Sequence, residues 1–209
     1  QGVFSIRDLS RPVSSSMLKS ELTYGEFPWD FSSKMIAKCI EMKGSGVNEL
    51  TFLDIGSGVG RLVLGQSIRH DWKACIGVEV VESLHRISSE YSEEFKNMTC
   101  PVKFYLGDVF DTEDDKKLEG FTWGEVDIAF CYCSTWSAKS NELNELSFLL
   151  ARMLKRGAHV LTTDKTLVSE PGAWEFKLVA SESGENPETG GKSKIFAWEL
   201  VFSNVGSFV

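Results

Sequence analysis

Residues 51–61, Thr51-Phe-Leu-Asp-Ile-Gly-Ser-Gly-Val-Gly-Arg61, constrain this chain more than any other stretch. An apolar, β-prone run meets a carboxylate, Asp54, and glycines follow at alternate positions, Gly56, Gly58 and Gly60. An amphipathic segment begins directly afterwards. The pattern predicts a strand, a tight turn and a helix start, because glycine tolerates positive φ and lets a ligand approach the main chain. Glu79 closes the next apolar run, Ala74-Cys75-Ile76-Gly77-Val78. In nucleotide-binding folds an acid at that place takes a ribose diol.

Spacing selects the ligand. A dinucleotide fingerprint reads G-x-G-x-x-G, whereas Gly60 comes only two residues after Gly58. Asp54 lies two residues before Gly56 and would repel a pyrophosphate. The same carboxylate suits a ligand carrying an ammonium or sulfonium group, which favours S-adenosyl-L-methionine over NAD.

The rest of the chain alternates. Residues 28–42 form a helix whose Trp29, Phe31 and Met35 are placed in the core. Strands are predicted at Leu50–Asp54, Ala74–Glu79, Val102–Leu106, Val126–Cys131 and His159–Thr163. Helices are predicted at Val59–His70 (Leu62, Leu64 and Ile68 inward), 81–97 (carrying Leu84, Ile87, Tyr91 and Phe95) and Asn141–Lys155. Trp174–Ser181 and Lys194–Phe202 read as an antiparallel hairpin joined by residues 185–191. Alternating elements ending in a hairpin imply an α/β fold, a mostly parallel sheet with helices on both faces. Ligands then lie beyond the carboxyl ends of the strands, where Asp54–Gly60, Glu79, Asp108–Val109 and Cys131–Trp136 meet.

Length and composition narrow the class. The 209 residues, 42% hydrophobic, suit one domain with a sizeable core. No apolar run reaches membrane-spanning length and no signal peptide is visible. An odd count of 5 cysteines, two in core strands, fits free thiols in an intracellular, reducing compartment, nucleus or cytoplasm. Cys131-Tyr-Cys133 has no second Cys/His pair beside it, so no metal site is expected. A net charge of −8 gives no footprint for nucleic acid.

These motifs resemble class I, seven-strand, Rossmann-like SAM-dependent methyltransferases over nearly the whole chain. Asp54–Gly60, Glu79 and Gly107-Asp108-Val109-Phe110 stand at that fold's first three motifs. Tyr24-Gly25-Glu26, ahead of the first helix, is similar to the lid loop of the non-SET histone lysine methyltransferases, the disruptor-of-telomeric-silencing family. The resemblance implies a 1–27 arm with cofactor lid and a 28–209 methyltransferase domain. It further implies that Tyr24 and Glu26 line the methionine end, Asp54, Gly56 and Gly58 form the turn under the amino group, and Glu79 holds the ribose. Asp108 would accept from the adenine amine with Val109 or Phe110 on the ring, and Cys131 would line the passage to the methyl group. Two departures stand out: Cys131-Tyr132-Cys133-Ser134 replaces an asparagine-containing pattern, and Arg61 replaces a glutamine or asparagine.

Methyl transfer from a sulfonium is an in-line displacement, helped chiefly by alignment and exclusion of water. A lysine acceptor must be neutral, against an ordinary pKa of about 10.4. Tyr132 and Trp136 are the candidate walls of an acceptor channel, aromatic faces being tolerant of a cationic amine. Trp136 could equally cover the sheet end. Asp164-Lys165 reads as a solvated turn or a border of the acceptor site. The expected partner is a protein substrate, histone-type among the options, or a small molecule, with no membrane.

Overall fold

The computed structural model describes residues 25, 27–111, 120–136, 138, 140–187 and 190–205. Of the 1–27 arm expected from the sequence, residues 1–24 and Glu26, and so both Tyr24 and Glu26, lie outside them. In chain order the elements are α1 (Trp29–Lys43), β1 (Thr51–Ile55), α2 (Arg61–Arg69), β2 (Ala74–Glu79), α3 (Glu82–Glu94), β3 (Val102–Leu106), β4 (Ile128–Cys131), α4 (Asn144–Met153), β5 (His159–Thr163), β6 (Trp174–Asn186) and β7 (Gly191–Ser203). All five residues of β1, and all of β4 and β5, are buried. Strands covered on both faces need such continuous apolar runs.

The strands form one seven-stranded sheet in the order β3-β2-β1-β4-β5-β7-β6. β1 to β5 pair in parallel, and β7 enters antiparallel beside β5. Strand order reverses between β1 and β4, the place where open α/β sheets hold their ligands. One face is packed by Met35, Ile36 and Cys39 of α1 and Val63 of α2 over Phe52, Ile128 and Phe130. On the other, Leu146, Leu149 and Leu150 of α4 cover Leu53, Ile55 and Val160. The α/β class, the terminal hairpin and helices on both faces are as the sequence implied.

Three local expectations are corrected. Ile68, read as inward, is exposed; the inner row of α2 is Val63, Leu64, Gln66 and Ser67. Tyr91 and Phe95, counted on the apolar face of the third helix, are also exposed. The one fully inward residue of α3 is small, Ser88, because the helix crosses close above the glycine turn. The hairpin ladder continues further than read, to Asn186↔Gly191, leaving residues 187–190 as the connection. Glu185 faces Lys192 there, and Asn186 Nδ2 donates to Ser193 Oγ at 3.0 Å.

The turn is locked by Phe104 of β3. Gly60 has φ +82°, and a Cβ there would lie 2.5 Å from the Phe104 ring and 2.9 Å from Ser88 Cβ. A Cβ on Gly77 of β2 would meet the same ring at 2.5 Å. Phe104 therefore fills room that both glycines leave, which fixes the turn against β2 and β3. Gly60→Ala combines left-handed backbone, roughly 1–2 kcal/mol, with overpacking of roughly 1–3 kcal/mol. Denaturant unfolding is expected to show a loss of at least about 2 kcal/mol, and a loss under about 0.5 kcal/mol would contradict this packing.

Candidate cofactor site at the carboxyl end of the sheet

A cleft of about 480 Å³, part of it open to solvent, lies at the β1–β4 switch point. β1 and its turn contribute Asp54, Gly56, Ser57 and Gly58; β4 contributes Phe130 and, just beyond it, Tyr132. α1 brings Trp29 and Ser32, α2 brings Arg61 and Leu62, and Gly25 and Phe27 complete the rim.

The turn after β1 is held from within. Gly56 N and Ser57 N donate to Val78 O at 2.8 and 3.0 Å, and Gly60 N donates to Ser57 O at 2.9 Å. Gly58 N donates to Glu79 Oε2 at 2.8 Å, while Val81 N donates to Glu79 Oε1 at 2.8 Å. Glu79 thus braces the turn it faces. A phosphate-binding loop needs a concave set of free N–H groups. Here four of those amides are already engaged, so what the turn offers the cleft is bare backbone and a carboxylate.

That carboxylate is Asp54, 4% exposed. Among the described residues no hydrogen bond or ion pair reaches it. Burial, and then the neighbouring Glu79 carboxylate, push its pKa up to about 8. Burial also raises Glu79, against the lowering pull of the Val81 and Gly58 amides. Two carboxylates close together in a low-dielectric pocket disfavour their own ionisation and favour an incoming cation. The site's chemistry therefore fits an ammonium or sulfonium donor.

An aromatic group walls the opposite side. The Phe27 ring lies 5.2 Å from Phe31, 6.2 Å from Phe130 and 5.7 Å from Tyr132, centroid to centroid. Tyr132 packs over Gly25, its ring 3.2 Å from where a Cβ would stand. Gly25, between Tyr24 and Glu26, is the described residue of that motif and does line the cleft.

The remaining expected site residues are spread along the same edge. Asp108 follows β3 beside the end of β2, Gly107 N donating to Glu79 O at 3.0 Å. Its Oδ1 accepts from Phe110 N at 2.9 Å. Val109 is buried in the apolar layer beneath α4. Cys131 is wholly buried in that layer and does not line the cleft; burial pushes its thiol far up. Tyr132 and Trp136 do not share a wall. Tyr132 joins the α1 side, and Trp136 packs against Phe110 at 5.9 Å on the α4 side.

Sequence reasoning missed part of the site. Trp29, read as core, lines the cleft, as do Ser32 and Phe130. Among the described residues no His/Cys/Asp/Glu group could hold a metal, and no helix is long and apolar enough to cross a membrane. All five cysteines are free and buried.

Known proteins resemble this chain in sequence or in fold. The sequence model of a family described as histone methylation protein DOT1 matches residues 11–108. A histone-lysine N-methyltransferase specific for H3 lysine-79, from Drosophila melanogaster, is 29% identical over 106 residues, 47% of this chain and 6% of that protein. The chain thus spans a small part of that relative's length. Among solved structures, a putative RNA methyltransferase from Pyrococcus horikoshii superposes with TM-score 0.59 at 16% identity, covering 93% of this chain and 94% of the other. An RNA methyltransferase from Salinibacter ruber, solved with S-adenosyl-L-homocysteine, gives TM-score 0.55 at 18% identity over 80% of this chain and 91% of its own. The fold is that of the class I SAM-dependent methyltransferases. The first half of the chain, through β3, is similar to the DOT1 family, and the site and the comparisons agree on S-adenosyl-L-methionine as the cofactor.

Asp54 has a consequence for stability. Its folded pKa, about 8, is above the ordinary value of about 3.9. The folded state therefore holds the proton that the unfolded state releases, and stability falls as pH rises from about 4 through about 8. Asp54→Asn removes this loss. The ligand-free variant is expected to melt above wild type at pH 8.5 and near it at pH 4.5. Parallel melting profiles across that range would contradict the buried, unpaired carboxylate.

Proposed function

We propose that this chain transfers a methyl group from S-adenosyl-L-methionine to a lysine of a protein, with a histone-type acceptor the reading favoured. The observation that carries the donor half is Asp54, a buried carboxylate without a partner among the described residues, beneath a turn whose amides are already engaged. The acceptor half draws on the match to the histone methylation family and on the H3 lysine-79 relative. A net charge of −8 argues against a nucleic-acid acceptor, because phosphate contacts need clustered Lys and Arg.

The residues take distinct roles in this reading. Asp54 receives the α-ammonium of the donor, and burial strengthens that pairing. Glu79 keeps lone pairs beyond those bound to Gly58 N and Val81 N, and these accept from the ribose hydroxyls. Asp108, one strand further out, accepts from the adenine amine, with Val109 and Phe110 beside the ring. Tyr24 and Glu26 cap the methionine end, next to Gly25. When bound, S-adenosyl-L-methionine would supply a methyl group activated by its sulfonium, with S-adenosyl-L-homocysteine as the neutral leaving group. Tyr132 and the rings around Phe27 exclude water and disfavour a protonated amine, which lowers the acceptor pKa toward neutrality. A histone acceptor would place the protein in the nucleus; another protein acceptor leaves the cytoplasm open.

Methyl-labelled S-adenosyl-L-methionine, incubated with the protein and core histones, nucleosomes or a cell lysate, tests the proposal. Label on a histone lysine is the expected result. Label on another acceptor replaces the substrate assignment, and tight donor binding without transfer to any acceptor contradicts an enzyme. In calorimetry Asp54→Ala should weaken donor binding by at least about 1 kcal/mol through a lost charge-assisted hydrogen bond. Unchanged affinity would remove Asp54 from its role.

A further inference from the structure

Lys165 follows β5 at the carboxyl edge of the sheet and is 7% exposed, not the solvated turn that its sequence suggested. Its Nζ donates to Cys133 O at 3.0 Å and to Ser134 O at 2.5 Å. No carboxylate among the described residues pairs with it. Burying an ammonium without a counter-charge is costly, and an apolar side chain would pack there at lower cost. The two carbonyls it holds belong to the residues directly after Tyr132.

Further bonds tie the same two segments. Cys133 N donates to Thr163 Oγ1 at 3.0 Å, and Ser134 Oγ donates to Asp164 Oδ2 at 2.5 Å. Asp164 sits at φ +59°, a left-handed conformation uncommon outside glycine. In that pose its Oδ1 accepts from Lys194 N at 2.7 Å, which anchors the turn to β7. The chain leaving β4 is therefore clasped to the turn after β5. β4 fixes the backbone before Tyr132, and the clasp fixes it after.

We propose that Lys165, with Asp164 and Ser134, is a positioning residue for methyl transfer: its ammonium holds the backbone beyond β4 so that the Tyr132 ring stands as the wall of the acceptor passage. The role in transfer rests on the function proposed above. The clasp acts through Tyr132, and Lys165, Asp164 and Ser134 do not themselves line the donor cleft. An acceptor held even slightly out of line loses rate steeply.

Fluorine NMR tests this without a known acceptor. The chain has 4 tyrosines, so 3-fluorotyrosine labelling gives a small set of signals, and Tyr132→Phe assigns the relevant one. Wild type should show one narrow Tyr132 resonance that shifts when S-adenosyl-L-homocysteine is added. Lys165→Met should broaden or split it while circular dichroism stays unchanged. Lys165→Arg, which keeps cationic donors, should restore a single narrow line. A narrow line at the wild-type position in Lys165→Met overturns the proposal. If Lys165→Met does not fold, Ser134→Ala carries the test, a broadened line supporting the clasp and an unchanged one overturning it. A wild type that ignores S-adenosyl-L-homocysteine, with Lys165→Met still broadened, refutes the methyltransferase reading alone and leaves the positioning of Tyr132 standing.

Discussion

The structure turns on two carboxylates buried side by side beneath a glycine turn. Asp54 is the last residue but one of β1 and Glu79 the last of β2, adjacent parallel strands. Glu79 receives two backbone amides and so holds the turn in shape. Asp54 receives none and lines the cleft. One acid thus serves the fold and the other is left for a ligand. In a protein without such a ligand, a buried, unpaired carboxylate is a liability that a neutral side chain would remove. Its retention makes sense when a cation completes the site.

The rest of the fold can be understood as support for that pair. Parallel strands with helices over both faces keep the site dry below, and the reversal of strand order opens the cleft above. Phe104 locks the turn from the β3 side, while α1 brings Trp29 and Ser32 to the wall of the cleft. The second half of the sheet does a different job. β4, β5 and β7 converge on the residues around Tyr132 through the Lys165 and Asp164 bonds. The match to the histone methylation family stops at residue 108, on the donor side of this division. The sequence match therefore speaks for that side alone, while the likeness in fold extends over 93% of the chain.

Much of this was legible in the sequence, for identifiable reasons. β2, β3 and β5 lie where the apolar runs placed them, because buried parallel strands need an uninterrupted apolar stretch bounded by polar turns. Asp54 and Glu79 were legible because a carboxylate closing such a run must sit at the sheet's carboxyl edge. What periodicity could not supply was distance between segments far apart in the chain. Ile68 and Tyr91 have helical spacing but no neighbour to cover them. The aromatic group of Phe27, Phe130 and Tyr132 forms only once α1 crosses the end of β4. Trp136, four residues after Tyr132, packs against Phe110 on the other face because the chain turns between them, Trp136 N donating to Cys133 O at 3.1 Å. Lys165 looked solvated because lysine in a turn usually is, and its burial depends on two carbonyls that are more than thirty residues away in the chain.

A crystal structure of the protein with S-adenosyl-L-homocysteine would test the central claim most directly. The account places the amino group of that molecule within hydrogen-bond distance of the Asp54 carboxylate, and its ribose hydroxyls toward Glu79. A cleft that stays empty at saturating ligand, or one in which Asp54 faces no cationic group, would contradict it.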